Sequence, residues 1–192
     1  MAKARDSSAL WLLVLLWALG RKGAALTSTA PSGLTIVARR NTAPPGGATA
    51  WAKERLAALV RAGVVGDVAL AIVAHWAFET AWGQGEWNFN VGNRIALAGE
   101  SAYELDVDAL GRPRVGWWRS YPNLDAGVAD YLSLMQSAHY VPCWELLQAA
   151  PTSSAWIACL GALKPPYYTD DVAHYKGGFE VSLRRVRAMG FG

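Results

Sequence analysis

Apolar and polar positions divide this chain into one dense apolar run, several spaced stripes and one alternating stretch. The run is Val68 to Phe78, where His75 is the single polar interruption. A helix apolar on all sides is a buried one. Asp67 is its expected N-cap, and Gly83 and Gly85 supply the stop. Trp51 to Gly63 has helical spacing, with Leu56, Leu59 and Val60 on one face and Lys53, Glu54, Arg55 and Arg61 elsewhere. Ala102 to Val107 alternates polar and apolar residues, Asp108 to Pro113 reads as a turn, and Arg114 to Tyr121 as a second strand. Together they predict one β-hairpin. Leu124, Val128, Tyr131, Leu132 and Met135 mark an amphipathic helix. Two short helices, Cys143 to Gln148 and Thr152 to Leu163, come next. Asp171 to Met189 is the closing helix, weakened at Gly177-Gly178. A mainly helical chain with one hairpin implies an α+β fold.

The ends of the pattern define three regions. In residues 1–26, Lys3 and Arg5 precede an uncharged apolar run from Ala9 to Leu19, and Arg21 and Lys22 follow it. This reads as a signal-like h-region or a short N-terminal hydrophobic anchor helix. At roughly 1.5 Å per residue the run is too short to cross a ~30 Å hydrocarbon core unaided. Ser28-Thr29-Ala30 is small enough for a cleavage site, but Pro31 follows, which favours an uncleaved anchor. Residues 27–50, rich in Thr, Ser, Ala, Pro and Gly, read as a linker. Within it, Leu34 to Ala38 reads as a short strand or docking segment. Residues 51–192 form the remaining domain.

Composition narrows the partners. The 192 residues are 53% hydrophobic and 17% charged, so one sizeable core can be buried. A net charge of +3 is too mild for a nucleic-acid binder and is compatible with an anionic polymer such as a cell wall. Ten tryptophans are unusual for this length; they suit carbohydrate or interface surfaces, with several in the core. Cys143 and Cys159 lack zinc-ligand spacing; they form one disulfide in an exported protein, or two buried thiols otherwise. No metal or cofactor is implied.

The chemistry centres on Glu79, in the last turn of the apolar helix beside Trp76, Phe78 and Trp82. Desolvation and the negative end of the helix dipole both oppose ionisation there. A carboxyl kept protonated near neutral pH is what a general acid for glycoside cleavage needs. The competing reading is a solvated acid at a helix end. His75, one turn earlier, lacks a further ligand at helical spacing and reads as a core or supporting histidine rather than a metal ligand. Asn88 and Asn90 lie in an Asn/Gly-rich turn and suit either turn-making or hydrogen bonds to sugar hydroxyls. Trp82, Trp87, Trp117 and Trp118 are candidate stacking surfaces, although adjacent Trp117 and Trp118 point to opposite faces of a strand.

At these residues a resemblance enters. Ala77-Phe78-Glu79-Thr80-Ala81-Trp82-Gly83 resembles the Ala-Leu-Glu-Ser/Thr-Gly-Trp-Gly signature of the glucosaminidase-type peptidoglycan hydrolases, glycoside hydrolase family 73. Asn88 to Gly92 resembles that family's Asn-rich turn. Trp118 to Pro122 and Val128 to Tyr131 resemble its segment between hairpin and helix. Tyr167-Tyr168-Thr169-Asp170 resembles its Tyr-Ala-Thr-Asp loop. Order and spacing agree from Trp51 to the C-terminus, while Ala81 stands for the usual glycine and Tyr168 for a small residue.

The resemblance implies a lysozyme-like α+β fold, with the acid at the foot of a cleft between a helical lobe and a β-lobe. It implies an enzyme cleaving β-1,4 bonds of the GlcNAc–MurNAc strand, membrane-anchored at the cell envelope or virion-associated. Glu79 is then the general acid and Tyr167 the cleft tyrosine that holds the sugar. Asn88, Asn90, Trp82, Trp118, Tyr168 and Asp170 are carried over as substrate-binding positions. An inverting base should lie about 6.5–9.5 Å from the acid, and a retaining nucleophile about 5–5.5 Å away. Among Glu100, Glu104, Asp106 and Asp108, Glu104 is favoured, then Asp106, with Glu86 ranked lower; the substrate's N-acetyl group is the alternative. Rival readings are a lytic transglycosylase or muramidase on the same fold, and a non-catalytic glycan-binding or structural subunit.

Overall fold

The computed structural model describes residues 31–107, 113–168 and 171–191, with side chains 105–107 and 113–115 excepted. Segment 1–26, Asp108 and Asp170 therefore lie outside the described residues. The described chain is α+β, with six helices and a three-stranded sheet. No helix among the described residues is long and apolar enough to cross a membrane.

Helix α1 (Gly47–Arg61) begins directly after the Pro44-Pro45-Gly46 turn. Its buried stripe is Trp51, Ala52, Arg55, Ala58 and Leu59, at helical spacing. The expected face is therefore rotated: Arg55 points inward, whereas Val60 is 51% exposed. The cause is a buried ion pair. Arg55 Nη2 meets Glu86 Oε1, and Glu86 Oε2 accepts from Arg55 Nε at 3.1 Å and from Trp51 Nε1 at 3.0 Å. A buried charge persists only when paired and hydrogen-bonded.

Helix α2 (Gly66–Glu79) is the buried helix expected from the apolar run, with Ala71 to Ala77 fully enclosed. Asp67 is not its cap. Val65 holds that position, and Asp67 lies in the first turn, where it pairs with Arg187 at 2.8 Å. The hairpin forms as expected from β2 (Ser101–Val107) and β3 (Pro113–Arg119), antiparallel with Tyr103 opposite Trp118 and Glu104 opposite Trp117. The short strand expected within Leu34 to Ala38 forms as β1 (Thr35–Ile36), which adds in parallel to β2.

That strand changes the status of the region read as a linker. Residues 31–46 lie along the body as a strap. Asn41 pairs with Trp87, Thr42 Oγ1 donates to Glu86 Oε1 at 3.0 Å, and Asn88 takes hold of Ala38 and Arg40. Pro and Gly prevent regular structure here without preventing docking.

Helix α3 (Leu124–Met135) is capped by Asn123, whose side chain accepts from Ala126 N, and buries the stripe expected from its sequence. Helices α4 (Val141–Ala149) and α5 (Ala155–Ala162) are joined by a Cys143–Cys159 disulfide. Helix α6 (Val172–Ala188) starts at Asp171, whose side chain accepts from the Ala173 and His174 amides. The expected weak point at Gly177-Gly178 is a packing contact instead. A Cβ on Gly178 would sit 2.1 Å from Phe78 Cε2, so glycine is what lets α6 lie against the end of α2.

Candidate functional site

Glu79 is the last residue of α2, and its side chain is 16% exposed. The stop comes earlier than the glycines suggest. Thr80 Oγ1 donates to Trp76 O at 2.7 Å and accepts from Gly83 N at 3.0 Å, closing the turn on itself. Ala81, Trp82 and Gly83 then run left-handed, with φ of 47°, 61° and 87°. Left-handed backbone disfavours residues with a Cβ. Gly83 is needed for a second reason: a Cβ there would lie 2.3 Å from Trp51 Cδ1.

The two carboxyl oxygens of Glu79 have different neighbours. Asn93 Nδ2 donates to Oε2 at 3.0 Å. His75 Nε2 lies 3.6 Å from Oε1. Asn93 is presented by a turn that its neighbours lock: Asn90 Oδ1 accepts from Arg94 N at 2.8 Å, and Asn90 Nδ2 donates to Arg94 O at 2.9 Å. Within this turn the Gly92 carbonyl accepts from the Tyr167 hydroxyl at 2.9 Å. Tyr167 is fixed again by its backbone N–H, which donates to Leu160 O at 3.0 Å. Its ring lies 5.5 Å from that of His75. Burial pushes the Tyr167 phenol well above its ordinary range, with Tyr131 and Glu79 adding to the effect. Glu79, Tyr167, Asn93 and His75 thus form one cluster between helices and turn.

Other residues expected at the site serve different ends. Asn88, at φ 51°, donates to Ala38 O and Ser120 Oγ and accepts from Arg40 N, joining strap, turn and hairpin. Asn90 is fully buried, with its amide spent on Arg94. Neither amide is offered to a sugar in this arrangement. Trp82 is half-buried: Trp51 meets it edge-on at 6.2 Å, and Arg185 lies over its ring at 4.2 Å. Trp118 is buried on one face of β3 and Trp117 half-buried on the other, as the strand period requires. Arg39 covers Trp87 at 4.8 Å. Tyr168 turns inward, stacks on Tyr175 with centroids 3.7 Å apart, and donates to Ile157 O at 2.9 Å. These contacts make Tyr168 a core residue rather than a cleft one.

The acids considered as partners of Glu79 also separate. Glu86 is buried in its pair with Arg55 and is committed to the core. Glu100 pairs with Arg119 at 2.7 Å and accepts from Leu97 N. Glu104 is exposed on β2, opposite Trp117. Asp106 lies in the same strand and is described by its backbone alone. Among the described residues, no group of His, Cys, Asp and Glu side chains could hold a metal ion.

Asn93 and Asp130 carried no assigned role, although Asp130 lies in the Val128 to Tyr131 segment. Asp130 accepts from Arg119 Nη1 at 2.6 Å and the Tyr121 hydroxyl at 2.7 Å, and Arg94 Nε approaches it to 3.2 Å. It thereby ties α3 to the sheet and to the Asn93 turn. Position in an Asn-rich turn was a signal for Asn93, but nothing local in sequence aims it at Glu79. No protein-family model matches the chain, and no curated protein or solved structure matches it.

Proposed function

We propose that the protein is a peptidoglycan hydrolase of the glucosaminidase type, with a lysozyme-like arrangement of helices and hairpin. The observation that carries this reading is the Glu79 carboxyl, half-buried at the end of a core helix and held through Oε2 by Asn93. A carboxyl oriented by one donor with its other oxygen free of a hydrogen bond suits proton delivery to a glycosidic oxygen. The fixed Tyr167 beside it suits a wall that holds the sugar. The ordered motifs from Ala77 to Asp170 support the same substrate class.

In this reading Glu79 protonates the departing oxygen as the C1–O bond breaks. Glu86 and Glu100 are held in ion pairs and Glu104 is exposed, which supports a reaction with one protein acid. The substrate's acetamido group then assists at C1, and water completes the sugar. That observation equally favours a lytic transglycosylase, in which the sugar's own hydroxyl replaces water. Segment 1–26 serves as tether at the envelope or in a virion, and the disulfide fits an oxidising compartment. Mass spectrometry of fragments released from purified cell walls tests the reading. Reducing GlcNAc ends are expected; anhydro ends would replace hydrolysis with transglycosylation, and absence of fragments would overturn both.

A further inference from the structure

His75 is fully buried, yet both its ring nitrogens face oxygens. Nδ1 lies 3.2 Å from the Tyr131 hydroxyl, and Nε2 lies 3.3 Å from the Tyr175 hydroxyl and 3.6 Å from Glu79 Oε1. Glu79 follows His75 by four positions, so the helix places both on one face. Trp156 and Tyr167 close the imidazole in, with ring centroids 5.1 Å and 5.5 Å away. A hydroxyl can donate or accept, whereas the carboxylate that Glu79 becomes once it has given up its proton only accepts. In a neutral imidazole the proton therefore belongs on Nε2, facing Glu79, and Tyr131 donates to Nδ1.

We propose that His75 is a positioning residue for the proton donor: its Nε2–H receives the negative charge left on Glu79 Oε1 when the carboxyl protonates the leaving group. This rests on the reading of Glu79 as general acid. In the step, the Glu79 O–H bond breaks and the proton bonds to the departing glycosidic oxygen. The electron pair of the broken C1–O bond goes to that oxygen, and the proton on Nε2 stays where it is. At 3.6 Å the contact is too long for a hydrogen bond before the step. It tightens as charge develops, which is common for catalytic contacts in the unliganded state. An interaction stronger in the transition state than in the ground state raises kcat and leaves KM nearly unchanged.

The test measures kcat and KM on soluble glycan-strand oligomers for the intact protein and its His75→Gln, His75→Asn and His75→Leu variants. Gln carries an amide N–H to a reach similar to that of Nε2, and Asn is equally polar but shorter. His75→Gln should stay within about threefold of wild type, while His75→Asn and His75→Leu lose about 10- to 100-fold in kcat with KM changed less than about twofold. Should His75→Leu fail to fold, the Gln and Asn variants decide between themselves, with melting curves matched. Equal kcat for His75→Asn and His75→Gln, or a loss carried in KM alone, overturns the role of His75 and leaves that of Glu79 standing. Full activity in Glu79→Gln overturns both.

Discussion

Asn93 donates its side-chain amide to Glu79 Oε2 at 3.0 Å, from a turn 14 residues further along the chain. The bond fixes the rotamer of the acid from outside its own helix. Asn93 has a left-handed backbone, with φ of 48°, which glycine adopts freely. Asn93→Gly therefore removes the amide with little backbone strain. The variant should melt close to wild type and lose about tenfold in turnover on cell walls, the rate equivalent of one hydrogen bond of about 1.4 kcal/mol. A melting curve and an initial rate check both halves.

Ala81 is exposed, left-handed at φ 47°, and stands where the resembling signature has glycine. A Cβ in that region costs roughly 1–2 kcal/mol, and the greater freedom of glycine in the unfolded chain offsets about half of it. Ala81→Gly should raise stability by about 0.5–1 kcal/mol and the melting temperature by about 1–4 °C. Calorimetry measures the shift, and a lower melting temperature would contradict this account of the turn.

The Arg55–Glu86 pair holds the strap through Thr42. Glu86→Gln leaves buried Arg55 with only the half-exposed Glu54 as its charged partner, a loss of about 1–3 kcal/mol. Urea unfolding should show that loss, and limited proteolysis should cut the strap before the body. Arg55→Met with Glu86→Gln should recover part of the stability, because no buried charge remains.

Tyr103, Tyr121, Tyr131, Tyr140, Tyr167 and Tyr168 have phenols pushed above their ordinary range near 10, with burial the largest cause in each. Above that pH the unfolded chain releases protons that the folded chain keeps, so stability falls as pH rises. Below about pH 10 the contribution is fully present. An alkaline titration should show phenolate absorbance and loss of ellipticity rising together. Phenolate formation well before unfolding would contradict the burial of Tyr131 and Tyr167.

The parts of this protein legible in sequence are those set by local period. Val68 to Phe78, the stripe of Leu124 to Met135 and the alternation of Ala102 to Val107 each predicted the element that forms. The parts that were not legible depend on partners distant in sequence. Arg55 reads as a surface residue until Glu86, 31 positions away, is brought beneath it. Residues 27–50 read as a linker with a short strand or docking segment at Leu34 to Ala38; the strand forms, and the further docking is decided by Glu86 and Asn88, distant in sequence. At the site, Glu79 stood out because an acid inside an apolar run is conspicuous. Asn93 did not, since a polar residue in a polar turn carries no mark of what it faces. Tyr168 misled for the opposite reason: motif position suggested a cleft, and stacking on Tyr175 places it in the core.

The central claim is that Glu79 delivers the proton that cleaves the glycan. Its most direct test is the clearing of a purified cell-wall gel by Glu79→Gln beside the wild type at equal amounts of folded protein. The amide preserves size and its oxygen can still accept from Asn93, so folding should survive. The account predicts clearing by the wild type and a loss of at least about 100-fold in the variant. Equal clearing by the two proteins would contradict it.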